Sequence, residues 1–156
     1  MNWMRSLLIL IYAGLMLTSC APAPPPPQAT KRDETKEPWY HQTVEQLAGQ
    51  NLKAKTFLKN GKPDDAAALI QSGEPLASRL LAVPRPTLEA MEGASDLDDL
   101  YARMLLSNRN YGWARLFFQK NAARWKLWMP QTEDTARRLK EAQLGIAECD
   151  RRMLQP

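Results

Sequence analysis

Ser95-Asp96-Leu97-Asp98-Asp99-Leu100-Tyr101-Ala102-Arg103-Met104-Leu105-Leu106-Ser107 carries the pattern that decides the fold. Leu97, Leu100, Tyr101, Met104 and Leu105 fall at i, i+3, i+4, i+7 and i+8, which places all five on one stripe of a helix. Ser95 to Asp98 reads as a capping box, in which the serine oxygen satisfies a free amide and the acid reaches back. Asn108 to Asn110 breaks the pattern. Helical spacing resumes at Tyr111, Ala114, Phe118, Ala122 and Trp125 and runs to Met129-Pro130. Thr132, with Glu133 and Asp134, caps a last helix whose inner face is Ala136, Leu139, Ala142, Ile146, Cys149 and Met153.

The same period continues upstream. Val44, Leu47, Ala48, Ala54 and Leu58 predict a helix over Val44 to Leu58, which Asn60-Gly61 stops because glycine accepts the left-handed cap. Pro63 suits the first turn of the next helix, and Asp64 and Asp65 suit the positive end of its dipole. Ala66, Leu69 and Ile70 form its buried stripe, and Gly73 is expected to end it. Pro75 then restarts a short helix through Leu76, Leu80 and Leu81. Val83-Pro84-Arg85-Pro86 breaks the chain again, and Thr87 to Glu92 forms a further turn or two. Alternating β-branched runs are missing from the sequence. The expected class is all-α: a small antiparallel helical-hairpin array or an irregular bundle, since short turns make neighbouring helices antiparallel.

Gly61-x-Pro63-x-x-Ala66-x-x-x-Ile70 and Tyr111-x-x-Ala114-x-x-x-Phe118 share one spacing, and Tyr101, Ala102 and Leu105 add the matching apolar and small positions of a preceding helix. This pattern resembles the tetratricopeptide repeat, in which a small residue lets two helices approach and a large one fills the gap behind. Arg109 stands where the repeat has glycine, Lys126 stands where it has proline, and the two units lie 48 residues apart instead of 34.

The start of the chain has a different character. Arg5 precedes an uncharged apolar run from Leu7 to Leu17, about as long as a signal-peptide core and short for a bilayer span. Leu17-Thr18-Ser19-Cys20 resembles the lipobox of bacterial lipoproteins. That resemblance implies cleavage before Cys20, lipidation of its thiol and acylation of the freed amine. Ala21, not Asp, follows, which in the enteric pattern implies the outer membrane, facing the periplasm. The expected organisation is a signal peptide over 1–19, lipidated Cys20 and a Pro-rich linker over 20–38, and a helical domain over 39–156. Pro22, Pro24, Pro25, Pro26, Pro27 and Pro38 favour polyproline II, and the mixed charges of Lys31 to Glu37 bury nothing. Fully extended, this disordered tether would span about 55 Å at ~3.1 Å per residue.

A formal net charge of +4 at pH 7 is too small to define a nucleic-acid binder. Apart from Cys20 the only cysteine is Cys149, so a disulfide framework is excluded if Cys20 is acylated. The single histidine, His41, lacks the companions of a zinc set or of a nucleophile–base–acid arrangement. Asp64-Asp65 and Glu133-Asp134 sit at helix starts, where the dipole accounts for them. No Gly-rich phosphate loop is present. No catalytic residue, metal or cofactor is expected.

One patch rises above this background. Tyr111, Trp113, Phe117, Phe118, Trp125 and Trp128 interleave with Arg115, Lys120, Arg124 and Lys126, and residues 101–156 hold eleven Lys or Arg against five Asp or Glu. Apolar residues on several sides of this helix suit a central position in the bundle, with snorkelling basic rims. Alternatively, Tyr111, Trp113, Arg115, Arg124, Trp125 and Trp128 line an exposed groove for a partner helix or strand, since Trp, Tyr and Arg anchor interfaces. The lipobox and repeat resemblances together imply a non-enzymatic envelope lipoprotein, held to the membrane by its lipid and scaffolding another envelope protein, as pilotins and outer-membrane assembly factors do. The alternative is a peptidoglycan-binding module using Trp113, Trp125 or Trp128 with Arg115 and Arg124.

Overall fold

Pro38 opens the first long helix at a position that needs no amide donor. A computed structural model describes residues 32–155, so the expected signal peptide over 1–19, Cys20 and the proline run lie outside the described residues. Five α-helices follow in order among them: α1 (Pro38–Lys59), α2 (Pro63–Leu81), α3 (Leu88–Ser107), α4 (Tyr111–Leu127) and α5 (Glu133–Met153). Before α1, Glu34–Lys36 forms a 3-10 turn that packs against it, so the end of the expected tether is folded. Each helix packs antiparallel on the next, and α1 also packs on α3, which gives an all-α array of helical hairpins.

The α1–α2 and α3–α4 turns share one hydrogen-bond pattern. Lys62 N–H donates to the Phe57 carbonyl (2.9 Å) and Gly61 N–H to that of Leu58 (3.2 Å). Forty-eight residues later, Asn110 N–H donates to the Leu105 carbonyl (2.8 Å) and Arg109 N–H to that of Leu106 (3.1 Å). Both are Schellman caps, which need a left-handed residue after the helix. Gly61 supplies it at φ 69°, and Arg109 at φ 62°.

Two breaks expected from the sequence do not occur. Helix α2 runs through Gly73 and Pro75. Ala66, Ile70, Gly73, Ala77 and Leu80 form one unbroken buried stripe, and burial of that stripe outweighs the hydrogen bond lost at Pro75. The carbonyl that Pro75 leaves free belongs to exposed Gln71, where water satisfies it. Gly73 sits at a close approach: a Cβ there would lie 2.9 Å from Leu97 Cδ1. Likewise, α3 begins at Leu88, capped by the Thr87 side chain, and passes through Gly93 and Ser95. Ser95 is therefore no cap. It is buried in mid-helix, where its hydroxyl oxygen accepts from Trp125 Nε1 at 2.8 Å. The Thr132 cap of α5 is present, and its partner is Thr135.

Burial divides into two clusters that share α3. In the first, Tyr40, Leu47, Ala54, Ile70, Leu80, Leu97 and Leu100 join α1, α2 and α3. In the second, Ala102, Ala114, Phe118 and Cys149 join α3, α4 and α5. Cys149 is fully buried, and burial pushes its thiol pKa up, with Asp150 acting in the same direction. Ala136 and Met153, expected on the inner face of α5, are exposed. Its buried residues are Thr135, Ala142 and Cys149.

Candidate functional site

Helix α4 positions the aromatic and basic residues singled out from the sequence, and it separates them onto different sides. Ala114, Phe118, Asn121 and Trp125 face inward at 4-3-4 spacing. Trp125 is fully buried, with its indole N–H held by Ser95 and the Arg138 guanidinium 5.4 Å above its ring. It belongs to the packing and cannot line an open groove.

Arg124 is also withdrawn. Its side chain is 6% exposed and bonds Asp98 Oδ2 at 2.8 Å, while Lys120 bonds Asp98 Oδ1 at 2.9 Å and Arg124 reaches Asn121 as well. Both carboxylate oxygens are thereby satisfied, as a buried charge requires. This ion cluster edges a cavity of about 140 Å³ between α2, α3 and α4, with Glu74, Ser78, Leu81 and Phe117 on its walls. Arg115 pairs with Asp150 at 2.6 Å, bracing α4 against α5.

The remaining candidates lie outward or at the ends of α4. Trp113 is 65% exposed, Leu116 52% and Leu127 80%, and they share one outer stripe with exposed Ala123 and with Lys120, whose ammonium turns to Asp98. Met129, 74% exposed, continues it beyond the helix end. Tyr111 and Trp128 are half-buried at the two ends, and exposed Lys126 lies beside the stripe. Large apolar side chains open to water on one helix face are the mark of a contact surface. The structure thus keeps Trp113 of the expected groove at the surface, removes Trp125 and Arg124 from it, and adds Leu116, Leu127 and Met129.

A second polar assembly links α3 to α5. Arg138 bonds Asp134 (2.8 Å) and Asp96 (2.6 Å) and lies 3.9 Å from Glu92. Burial works against the Arg138 charge, but the hydrogen bonds to Asp134 and Asp96 more than offset it, and its pKa is raised. Hydrogen bonds from Arg138 and Arg137 lower that of Asp134. Burial pushes the Glu92 carboxyl up, against the pull of Arg138 and with the help of Asp134, Asp96 and Glu89. Sequence reasoning missed this assembly and the Asp98 cluster. Asp98 one turn after Gly93 and Ala94 reads as a solvated acid until the partner helix is placed.

Among the described residues, no group of three or more His, Cys, Asp or Glu side chains could hold a metal ion, and no helix is long and apolar enough to cross a membrane. No protein-family model, curated protein or solved structure matches the chain.

Proposed function

We propose that the chain is a lipid-anchored, non-enzymatic bacterial envelope protein whose helical domain binds another envelope protein through the outer face of α4. The observation that carries this reading is the stripe Trp113, Leu116, Ala123, Leu127 and Met129 on a helix whose opposite side is fully engaged by α3 and α5. Lys126 at its border favours an amphipathic partner helix that presents apolar anchors and an acidic edge. Lipidation at Cys20 would confine the domain to the outer-membrane surface and raise its effective concentration for a partner held in the same shell. The peptidoglycan reading is weaker, because Arg124, and Trp125 among its three candidate tryptophans, are engaged inside.

Two measurements test the proposal separately. Cys20→Ser should move the protein from the membrane fraction to the soluble one without changing its helical circular dichroism. A photoreactive residue at position 113 or 127 should crosslink one defined envelope protein in cells, whereas one at position 143, on α5, should not. Equal, diffuse crosslinking from all three positions would sink the assignment of the face.

A further inference from the structure

Three arginines from separate segments line one open cavity at the α3–α4 turn. Arg103 comes from α3, Arg109 from the turn and Arg152 from the last turn of α5, and Leu106, Ser107 and Tyr111 complete the lining of this cavity of about 410 Å³. No acidic residue is among its lining side chains. Arg103 uses Nε to bond Asp99 (2.7 Å), and Arg152 uses Nε to bond Glu148 (2.8 Å), each on its own helix. These bonds fix the two guanidinium planes, while the terminal nitrogens of both make no hydrogen bond to the described residues.

Arg109 sharpens the case. It makes no ion pair among the described residues, and it holds a left-handed backbone at φ 62° in a turn whose counterpart uses Gly61. Arginine in that conformation is strained where glycine is not. Pairing with the helix dipole accounts for Arg103 and Arg152 near the C-terminal ends of α3 and α5. It does not account for the strained residue, since glycine would cap the helix without strain. At the start of α4, Asn110 makes no side-chain cap, so the amides of Tyr111, Gly112 and Trp113 add positive potential beside the cavity.

We propose that this cavity binds an oxyanion of the phosphate class, gripped by Arg103, Arg109 and Arg152. Planar guanidinium groups suit bidentate contact with phosphate oxygens, and with Asp99 and Glu148 each offsetting one of the three arginines the cluster keeps a net positive charge for an anion to neutralise. The phosphate belongs either to a phospholipid headgroup or to a soluble phosphorylated molecule. The site is separate from the apolar stripe of α4, so its failure would leave the protein-binding proposal standing.

The test uses the full chain carrying Cys20→Ser, so that no attached lipid drives binding. Inorganic phosphate is titrated at constant ionic strength and followed by amide and arginine Nε shifts in NMR. Saturable shifts confined to Arg103, Ser107–Tyr111 and Arg152 are expected. Arg109→Gly should keep or raise the melting temperature and weaken phosphate binding about tenfold or more, the loss of one charge-assisted bidentate contact. Flotation with phosphatidylglycerol vesicles but not phosphatidylcholine vesicles, lost in Arg109→Gly, would identify the source as a headgroup. Phosphate binding without flotation would identify a soluble ligand. Absence of both, or equal binding by the folded Arg109→Gly variant, overturns the proposal.

Discussion

Forty-eight residues on from Ala54, Ala66 and Ile70 stand Ala102, Ala114 and Phe118, each buried like its counterpart. The same step takes Gly61 to Arg109 in turns with one hydrogen-bond pattern. Beyond those positions the two hairpins diverge. Gly73 and Ala77 in α2 become Asn121 and Trp125 in α4, and buried hydrogen bonds replace close helix approach. The Asn121 amide donates to the Ser95 carbonyl at 3.0 Å, and Trp125 donates to the Ser95 hydroxyl. The α1–α2 hairpin is closed by apolar contact, whereas the α3–α4 hairpin adds buried polar contacts to its apolar cluster and leaves large apolar side chains outside. One backbone plan thus serves two tasks: the first hairpin supplies a firm base, and the second carries the charged cavity and the exposed face.

The largest expected break of this comparison lies in the polar closure. Asp98→Ala strands the buried Arg124 charge and should cost about 3–5 kcal/mol, read by chemical denaturation. The first hairpin has no equivalent ion pair to break among the described residues.

Next come the glycines. A Cβ at Gly145 would lie 2.6 Å from the ring of buried Phe118, which has no room to retreat. Gly145→Ala should therefore destabilise by about 1–3 kcal/mol through overpacking. Gly73→Ala meets the flexible end of Leu97 at 2.9 Å, with side-chain tips of Gln50 and Leu47 at 3.4 Å, and the gain in helix propensity, about 1 kcal/mol, should offset much of the strain. Matched melts of the two variants would show whether the clusters differ in give as the geometry says.

The turns should respond with opposite signs. Gly61→Ala forces a left-handed alanine and should cost about 1–2 kcal/mol. Arg109→Gly relieves that strain, less the chain entropy glycine adds to the unfolded state, for a net gain below about 1 kcal/mol. Equal losses in both variants would mean that the turns are not equivalent.

The smallest effect is at Glu92, whose carboxyl pKa burial raises. An acid with a raised folded-state pKa favours folding when protonated, and that contribution is lost as pH rises through the folded value. Glu92→Gln imitates the protonated form. It should raise the melting temperature slightly at neutral pH and leave it unchanged in acid below the carboxyl range.

Much of this was readable in the chain. Asn60-Gly61, the stripe from Leu97 to Leu105, Thr132 and the buried Cys149 followed from period and cap chemistry alone. Gly73, Pro75 and Ser95 misled because local propensity gives way when a continuous buried stripe or a partner side chain outweighs it. The site was only partly legible. A tryptophan has the same letter whether it packs inward, like Trp125, or faces water, like Trp113, and the two differ only by their angle around a helix whose apolar residues lie on nearly every side. Asp98 gave no local signal, and Arg138 only its pairing with Asp134 one turn back, because their other partners sit 22 to 46 residues away.

Helix α3 has one further consequence. It gives Leu97 and Leu100 to one cluster and Ala102 to the other, and it receives asparagine amides from both neighbours, Asn51 onto the Gly93 carbonyl and Asn121 onto that of Ser95. Neither half owns its inner wall. The domain is therefore not modular in the way a stack of interchangeable units would be. Excising either hairpin bares a side of the same rod, and a cut in the 82–87 loop parts α1 and α2 from the face of α3 that completes their cluster.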